Sequence, residues 1–270
     1  VDLSKQWVSQ KAITLDGFKQ TRFDLIISSV PQHFVPFSRL QECYQPHAPH
    51  VFHMGNVSWQ LPEGVQNLMT HVQPPEAEAQ DINVVVYDQE FDLQIFCPAP
   101  NPITPSTEEV LIRSYVHFPS SEALWKSLGL TPEGGWKFEF IGRTLGSLNE
   151  TIIESAALAR SMQEAHFIWH VKPGGEGYGH ILMNVLAIGR PVIINANDFK
   201  GTRGGRLLED GVTCINTDDR SAEEICGMLY DATEPSRYQE YCTAVTERFR
   251  NTVDFDADAQ RVQQFLKELR

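Results

Sequence analysis

Short apolar runs alternate with stretches of helical period along most of the chain, and this alternation predicts an α/β protein with parallel sheets. In the first part, residues 24–29 (DLIISS), 50–54 (HVFHM), 67–72 (NLMTHV) and 83–87 (NVVVY) read as strands. Between the first two, residues 36–44 place Phe37, Leu40 and Tyr44 on one helical face. Four prolines then fall within residues 97–109 (CPAPNPITPSTEE). Proline lacks a backbone donor and clashes with the preceding turn, so this stretch is a linker or crossover and marks a domain boundary.

The second part repeats the pattern more regularly. Strands are expected at 112–118, 136–141 (WKFEFI), 167–171 (FIWHV), 192–195 and 212–216. Helices are expected at 120–129 (SSEALWKSLG), at 149–165, from Gly179 to the Gly189-Arg190-Pro191 stop, at 221–231 and at 235–251. The 149–165 helix takes Asn149 as its N-cap and buries Ile152, Ile153, Ala156 and Leu158. A final amphipathic helix at 257–269 carries Val262, Phe265, Leu266 and Leu269 on one side.

Composition narrows the function classes. The 270 residues, 41% hydrophobic, suffice for one large or two modest cores. A formal net charge of −13 opposes a protein held on nucleic acid by bulk electrostatics. The five cysteines are widely spaced and form no CxxC pair, which points to a reduced, disulfide-free protein of the cytoplasm. No apolar run reaches membrane-spanning length and no signal peptide is visible. The first residue is Val rather than Met, so native sequence is expected before it.

The chemistry concentrates in Lys172-Pro-Gly-Gly-Glu176-Gly-Tyr-Gly-His180, between a strand and a helix. Glycines without Cβ atoms let a ligand approach the backbone, and the helix behind offers unpaired N–H groups and a positive dipole end to an anion. Lys172 suits the charge of a diphosphate and a departing nucleotide, whereas Glu176 suits sugar hydroxyls, which donate to a carboxylate. The competing reading is a tight structural turn.

EGYGHILMNVLAIGRPVI, from Glu176 to Ile193, resembles the donor-site signature of GT-B glycosyltransferases, the group with a family 4-like C-terminal donor domain. LLEDGVTCINTD, from Leu207 to Asp218, is similar to a later segment of that family. The resemblance is strong over 136–231; in the first part it is carried by strand order and FDLIISSVPQH. It implies two Rossmann-like domains, 1–107 on the acceptor side and 108–255 binding a nucleotide sugar such as a UDP-sugar. The first domain is short or lacks its beginning, and helix 256–270 crosses back to it. It implies metal-independent transfer of a hexose or pentose to an acceptor hydroxyl, with no cofactor beyond the donor. Under this reading the backbone of Gly175, Gly177, Tyr178, Gly179 and His180 cradles the diphosphate with Lys172, and Glu176 holds the sugar. Many retaining members carry a second glutamate eight positions after the first; Asn184 stands there and takes the ribose.

Other candidates follow from position at strand ends. Arg143 is a diphosphate clamp after the 136–141 strand. His33, after the 24–29 strand, is a base or acceptor-positioning group. Gly55 and Asn56, after the 50–54 strand, are expected with His33 to line the cleft between the two domains, and His180 bonds a phosphate or sugar oxygen or merely caps its helix. Thr202, with Gly204 and Gly205, faces the donor from the loop after the 192–195 strand. No His, Cys and Asp cluster has metal-ligand spacing. Rival functions are a nucleotide-sugar epimerase and a non-catalytic sugar-nucleotide-binding module. A transferase acting on hydroxymethylated DNA bases is disfavoured by the charge.

Overall fold

The computed structural model describes residues 13–55, 60–72, 81–100, 103–106, 109–116, 118–141 and 154–269. Two wholly parallel sheets organise it. The first contains β1 (Ile26–Ser28), β2 (His50–Met54), β3 (Asn67–Thr70) and β4 (Asn83–Val86), in that spatial order. The second contains β5 (Val110–Ser114), β6 (Trp136–Phe140), β7 (Phe167–Trp169), β8 (Val192–Ile194) and β9 (Cys214–Asn216), ordered β6-β5-β7-β8-β9. Parallel strands need crossovers, and α-helices supply those from β1 to β2, β5 to β6, β6 to β7 and β7 to β8.

In the first half, α1 (Leu15–Gln20) precedes β1 and α2 (Pro31–Tyr44) links β1 to β2. α2 starts five residues before the expected position 36. Pro31 occupies its first turn, where a missing donor is harmless, and Pro36 lies inside the helix. Gln32, the residue whose carbonyl Pro36 cannot reach, is exposed to water.

The second half adds α3 (Pro119–Ser127), α4 (Ser155–Gln163), α5 (His180–Ile188), α6 (Ala222–Ala232) and α7 (Pro235–Thr252). The expected cap Asn149, with Ile152 and Ile153, lies outside the described residues. Within them α4 starts after Glu154 and buries Ala159, Ser161 and Met162, while Ala156 and Leu158 are only partly buried. α6 is fixed by a capping box, with Ser221 accepting from the Glu224 amide and Glu224 accepting from the Ser221 amide.

α5 is apolar almost all round, and Leu182, Met183, Val185, Leu186, Ala187 and Ile188 are all buried. Such a helix is stable only between layers, and it packs against α4, α7 and β8. Burial of each large side chain contributes about 2 kcal/mol. Gly189, in the left-handed region at φ 78°, ends it. The buried guanidinium of Arg190 then donates to Gln163 O at 2.6 Å and Tyr238 Oη at 3.1 Å, tying α4 and α7 to this corner.

The last helix, α8 (Phe255–Lys267), is capped by Asp254, which accepts from the Ala257 amide. It packs on the first sheet, with Phe265 against Val51 and Val85 and with Val262 and Leu269 beside them. Leu266, expected on the same face, is instead exposed. No described helix is long and apolar enough to cross a membrane.

Candidate functional site

The loop after β7 is held from below by β8. His170 extends the pairing one residue past β7 by donating its amide to Ile193 O at 2.8 Å. Asn195, just after β8, accepts from the Lys172 amide at 2.8 Å and donates to Lys172 O at 2.9 Å. Its amide group also donates to Asp198 Oδ2 at 2.6 Å, and that carboxylate accepts from the Gly174 amide at 2.9 Å. Gly175 follows at φ 61°, where a Cβ would lie 2.0 Å from the Asp198 carbonyl oxygen. Only glycine fits that crossing.

Glu176 turns back over this cradle. Lys172 Nζ donates to its Oε2 at 2.5 Å, and His170 Nε2 lies 2.8 Å from its Oε1. Burial opposes ionisation of the carboxyl, yet the His170 and Lys172 contacts outweigh it and bring the pKa down to about 2. Gly179, at φ 77°, makes room for the carboxylate, since a Cβ there would meet Oε1 at 2.7 Å. α5 begins at the next residue, so its first amides open directly beside the Glu176 carboxylate.

The first sheet faces this loop with the carboxyl ends of its strands. His53 near the end of β2, His71 just after β3 and Tyr87 just after β4 form one cluster. Tyr87 Oη lies 3.2 Å from His53 Nε2, and His71 Nδ1 lies 2.9 Å from Tyr87 O. The His71 ring is 4.9 Å from that of Tyr178, which in turn lies 5.0 Å from His180. Burial lowers the His71 pKa to about 4, with His53, His180 and Arg203 adding to the effect and the Tyr87 carbonyl opposing it. Tyr178 also donates its hydroxyl to Gln89 O at 2.5 Å, so the glycine loop is bonded to the first half of the chain.

A second set of contacts reinforces that junction. Thr202 bridges to Val72, and the Arg203 amide donates to His71 O at 3.3 Å. The side chains of Arg203 and Arg206 both reach the buried carboxylate of Asp88, and Arg203 also meets Asp258 of α8 at 3.3 Å.

The structure thus brings together Lys172, Gly175, Glu176, Gly177, Tyr178 and Gly179 on one loop, with His180 at the start of α5. Asn184 is buried one turn into α5, and its Oδ1 has no hydrogen-bond partner among the described residues. Thr202 is buried with its hydroxyl engaged locally, donating to Phe199 O at 2.8 Å and accepting from the Gly205 amide at 3.0 Å. The hydroxyl thus closes the turn 199–205, while the backbone of Thr202 makes the bridge to Val72. His33 is exposed on the first turn of α2, at the carboxyl edge of the first sheet, and the described contacts do not join it to the loop. Arg143 and Asn56 lie outside the described residues.

The sequence reading passed over His53, His71, Tyr87 and His170. Each is a polar or aromatic residue at the carboxyl end of an apolar strand, where open α/β sheets place ligands, and that shared position was the available signal.

No protein-family model and no curated protein matches the chain. Its fold does match solved structures. Anabaena HepE, solved in complex with UDP-glucose, superposes with a TM-score of 0.68 at 11% identity, over 91% of this chain and 79% of that one. TarM gives a TM-score of 0.63 at 11% identity, over 90% of this chain and 54% of that one. The pneumococcal O-GlcNAc transferase GtfA, in complex with UDP and GlcNAc, gives 0.63 at 10% identity, over 94% and 58%. At these identities the likeness is one of fold, and the fold is the two-sheet GT-B architecture.

Proposed function

We propose that this protein is a glycosyltransferase that moves a sugar from a nucleoside-diphosphate donor, a UDP-sugar being the first to test, to an acceptor hydroxyl. The observation that carries the reading is the placement of a Lys172–Glu176 pair on a glycine loop at the start of α5, opposite the strand ends of the first sheet. Lys172 and the first α5 amides supply the positive charge that a diphosphate needs, so a metal ion is not required. Glu176 takes a sugar hydroxyl, Asn184 Oδ1 accepts from the ribose, and Arg143 is retained as a diphosphate clamp. His33, exposed at the first sheet's edge, is the acceptor-side base, because His71 is sealed beneath Tyr178. The solved complexes of similar fold that hold UDP, UDP-glucose or GlcNAc support this choice of donor. All five cysteines are free thiols, which suits a reducing cytoplasm.

The test is binding and turnover with a panel of nucleotide sugars. One donor should raise the melting temperature and be slowly hydrolysed without acceptor. Lys172→Ala and Glu176→Ala should each reduce that turnover by more than about tenfold. Isomerisation of the donor would mark an epimerase, and binding without turnover a non-catalytic module. Unchanged turnover in both variants would sink the assignment.

A further inference from the structure

We propose that His170 is a positioning residue for Glu176: it anchors one carboxylate oxygen while the other passes from Lys172 to the donor's sugar when a diphosphate draws Lys172 away. This rests on the donor-site reading above and adds to it a division of labour between the two carboxylate oxygens.

The two partners of Glu176 differ in kind. Lys172 sits at the end of a flexible stem and is 25% exposed, whereas the side chain of His170 is 0% exposed. The His170 backbone is paired to Ile193 and its ring lies 5.7 Å from that of Phe199, so this imidazole has a fixed seat. An ionised carboxylate only accepts hydrogen bonds, so His170 must donate from Nε2. The other tautomer would aim a lone pair at the carboxylate and leave an N–H at Nδ1, which is buried with no partner among the described residues. The ring therefore presents one donor to Oε1, and no described side chain competes for it.

A diphosphate carries more charge than one carboxylate and binds at the helix start beside Lys172, so it attracts that ammonium more strongly. Lys172 can follow because its stem is flexible. Glu176 would be drawn after it, or turn out to water, if nothing else held it. The His170 bond, with the room left by the missing Cβ of Gly179, keeps Oε1 where it is. Oε2 then lacks a donor at the moment when a sugar hydroxyl arrives to provide one. The carboxylate is thus oriented before the sugar binds, which lowers the cost of ordering it.

The experiment compares two ligands of one series, a nucleoside diphosphate and its sugar conjugate, first UDP with UDP-glucose and then the uridine, guanosine and adenosine pairs with other sugars. His170→Leu, His170→Gln, Glu176→Ala and the His170→Leu/Glu176→Ala double variant are compared with wild type by calorimetry, with thermal unfolding as the check on folding. His170→Leu should bind the free diphosphate within about twofold of wild type and the nucleotide sugar about tenfold more weakly, the size expected for losing one charged hydrogen bond. His170→Gln, whose amide can donate from near Nε2, should recover most of that loss. The double variant should bind the nucleotide sugar no worse than Glu176→Ala. Equal weakening of both ligands, no recovery in Gln, or fully additive losses would each overturn the anchoring. If the wild type binds no pair, the donor reading itself falls and takes the anchoring with it. If His170→Leu does not fold, His170→Gln decides: near-wild-type discrimination between the ligands supports the proposal, and loss of discrimination overturns it.

Discussion

Asp88 accepts from Nε and from Nη2 of Arg203, both at 2.8 Å, and this two-point contact joins the end of the first sheet to the loop after β8. The Asp88 side chain is fully buried, and Arg206 approaches the same carboxylate. Asp258 of α8 completes the cluster from a third element. Paired this way the charges are tolerable in the interior, but removing the Asp88 charge takes from Arg206 the carboxylate it meets and leaves Arg203 only Asp258, which Arg261 also holds.

Asp88→Asn should therefore lower stability by about 3 kcal/mol, measured by urea denaturation. Arg248→Ala, which removes an exposed pair with Glu209, should change it by less than about 1 kcal/mol. Similar small effects from both would mean that the buried cluster does not hold the two sheets together.

The hydroxyl of Tyr178 provides a second tie, directly from the glycine loop to Gln89. Tyr178→Phe keeps the ring between His71 and His180 and removes only that bond. The expected loss is about 1 kcal/mol. Amide hydrogen exchange should quicken at residues 174–179 and stay unchanged in β7 and β8. Uniform change along the chain would show that the bond has no local part.

Two neighbouring glycines separate conformation from space. Gly174 and Gly175 both have positive φ, but a Cβ on Gly174 meets nothing within 4 Å, whereas on Gly175 it meets the Asp198 carbonyl oxygen at 2.0 Å. Gly174→Ala should lose only the left-handed strain, about 1–2 kcal/mol. Gly175→Ala must also displace the backbone that supports the Lys172 cradle, so its loss should be clearly larger and its affinity for a nucleoside diphosphate lower. Equal unfolding midpoints would refute this ranking.

Much of the fold was legible because apolar runs in buried parallel strands stand out from helical periods, and β2 lies at the expected residues 50–54. One boundary shifted because the helix was expected to start at Pro36: Pro31 opens α2 and Pro36 sits inside it, which tertiary packing permits. The glycine loop was readable because its backbone demands are written in residue types. The partnership of Lys172 with Glu176 was not, because the ligands each was expected to meet hid their attraction to one another. The facing cluster of His53, His71 and Tyr87 was legible only as separate strand-end positions, for a different reason. Its members come from three strands, and only the sheet's register brings them side by side.

Acid should destabilise the protein in two separable steps. The His71 pKa falls from 6.5 to about 4 on folding, chiefly through burial. Between those values the unfolded chain binds a proton that the folded one does not, so stability is complete above pH 6.5 and declines toward pH 4. Glu176 follows lower down. Its pKa falls from 4.5 to about 2, because His170 and Lys172 outweigh the burial that would raise it, and its contribution is lost between those values. Each step is worth at most on the order of 3 kcal/mol, by the conversion of a pKa difference to free energy. Unfolding free energy measured by urea titration from pH 8 to pH 3 should show both limbs. His71→Gln should make the upper limb shallower and leave the lower one unchanged, the remaining slope coming from His50, His53, His166 and His180, whose pKa values burial also lowers. Glu176→Gln should make only the lower limb shallower. A wild-type profile flat between pH 6.5 and pH 4, or a His71→Gln profile that still falls there as the wild type does, would show that His71 is not the group buried neutral in the cleft.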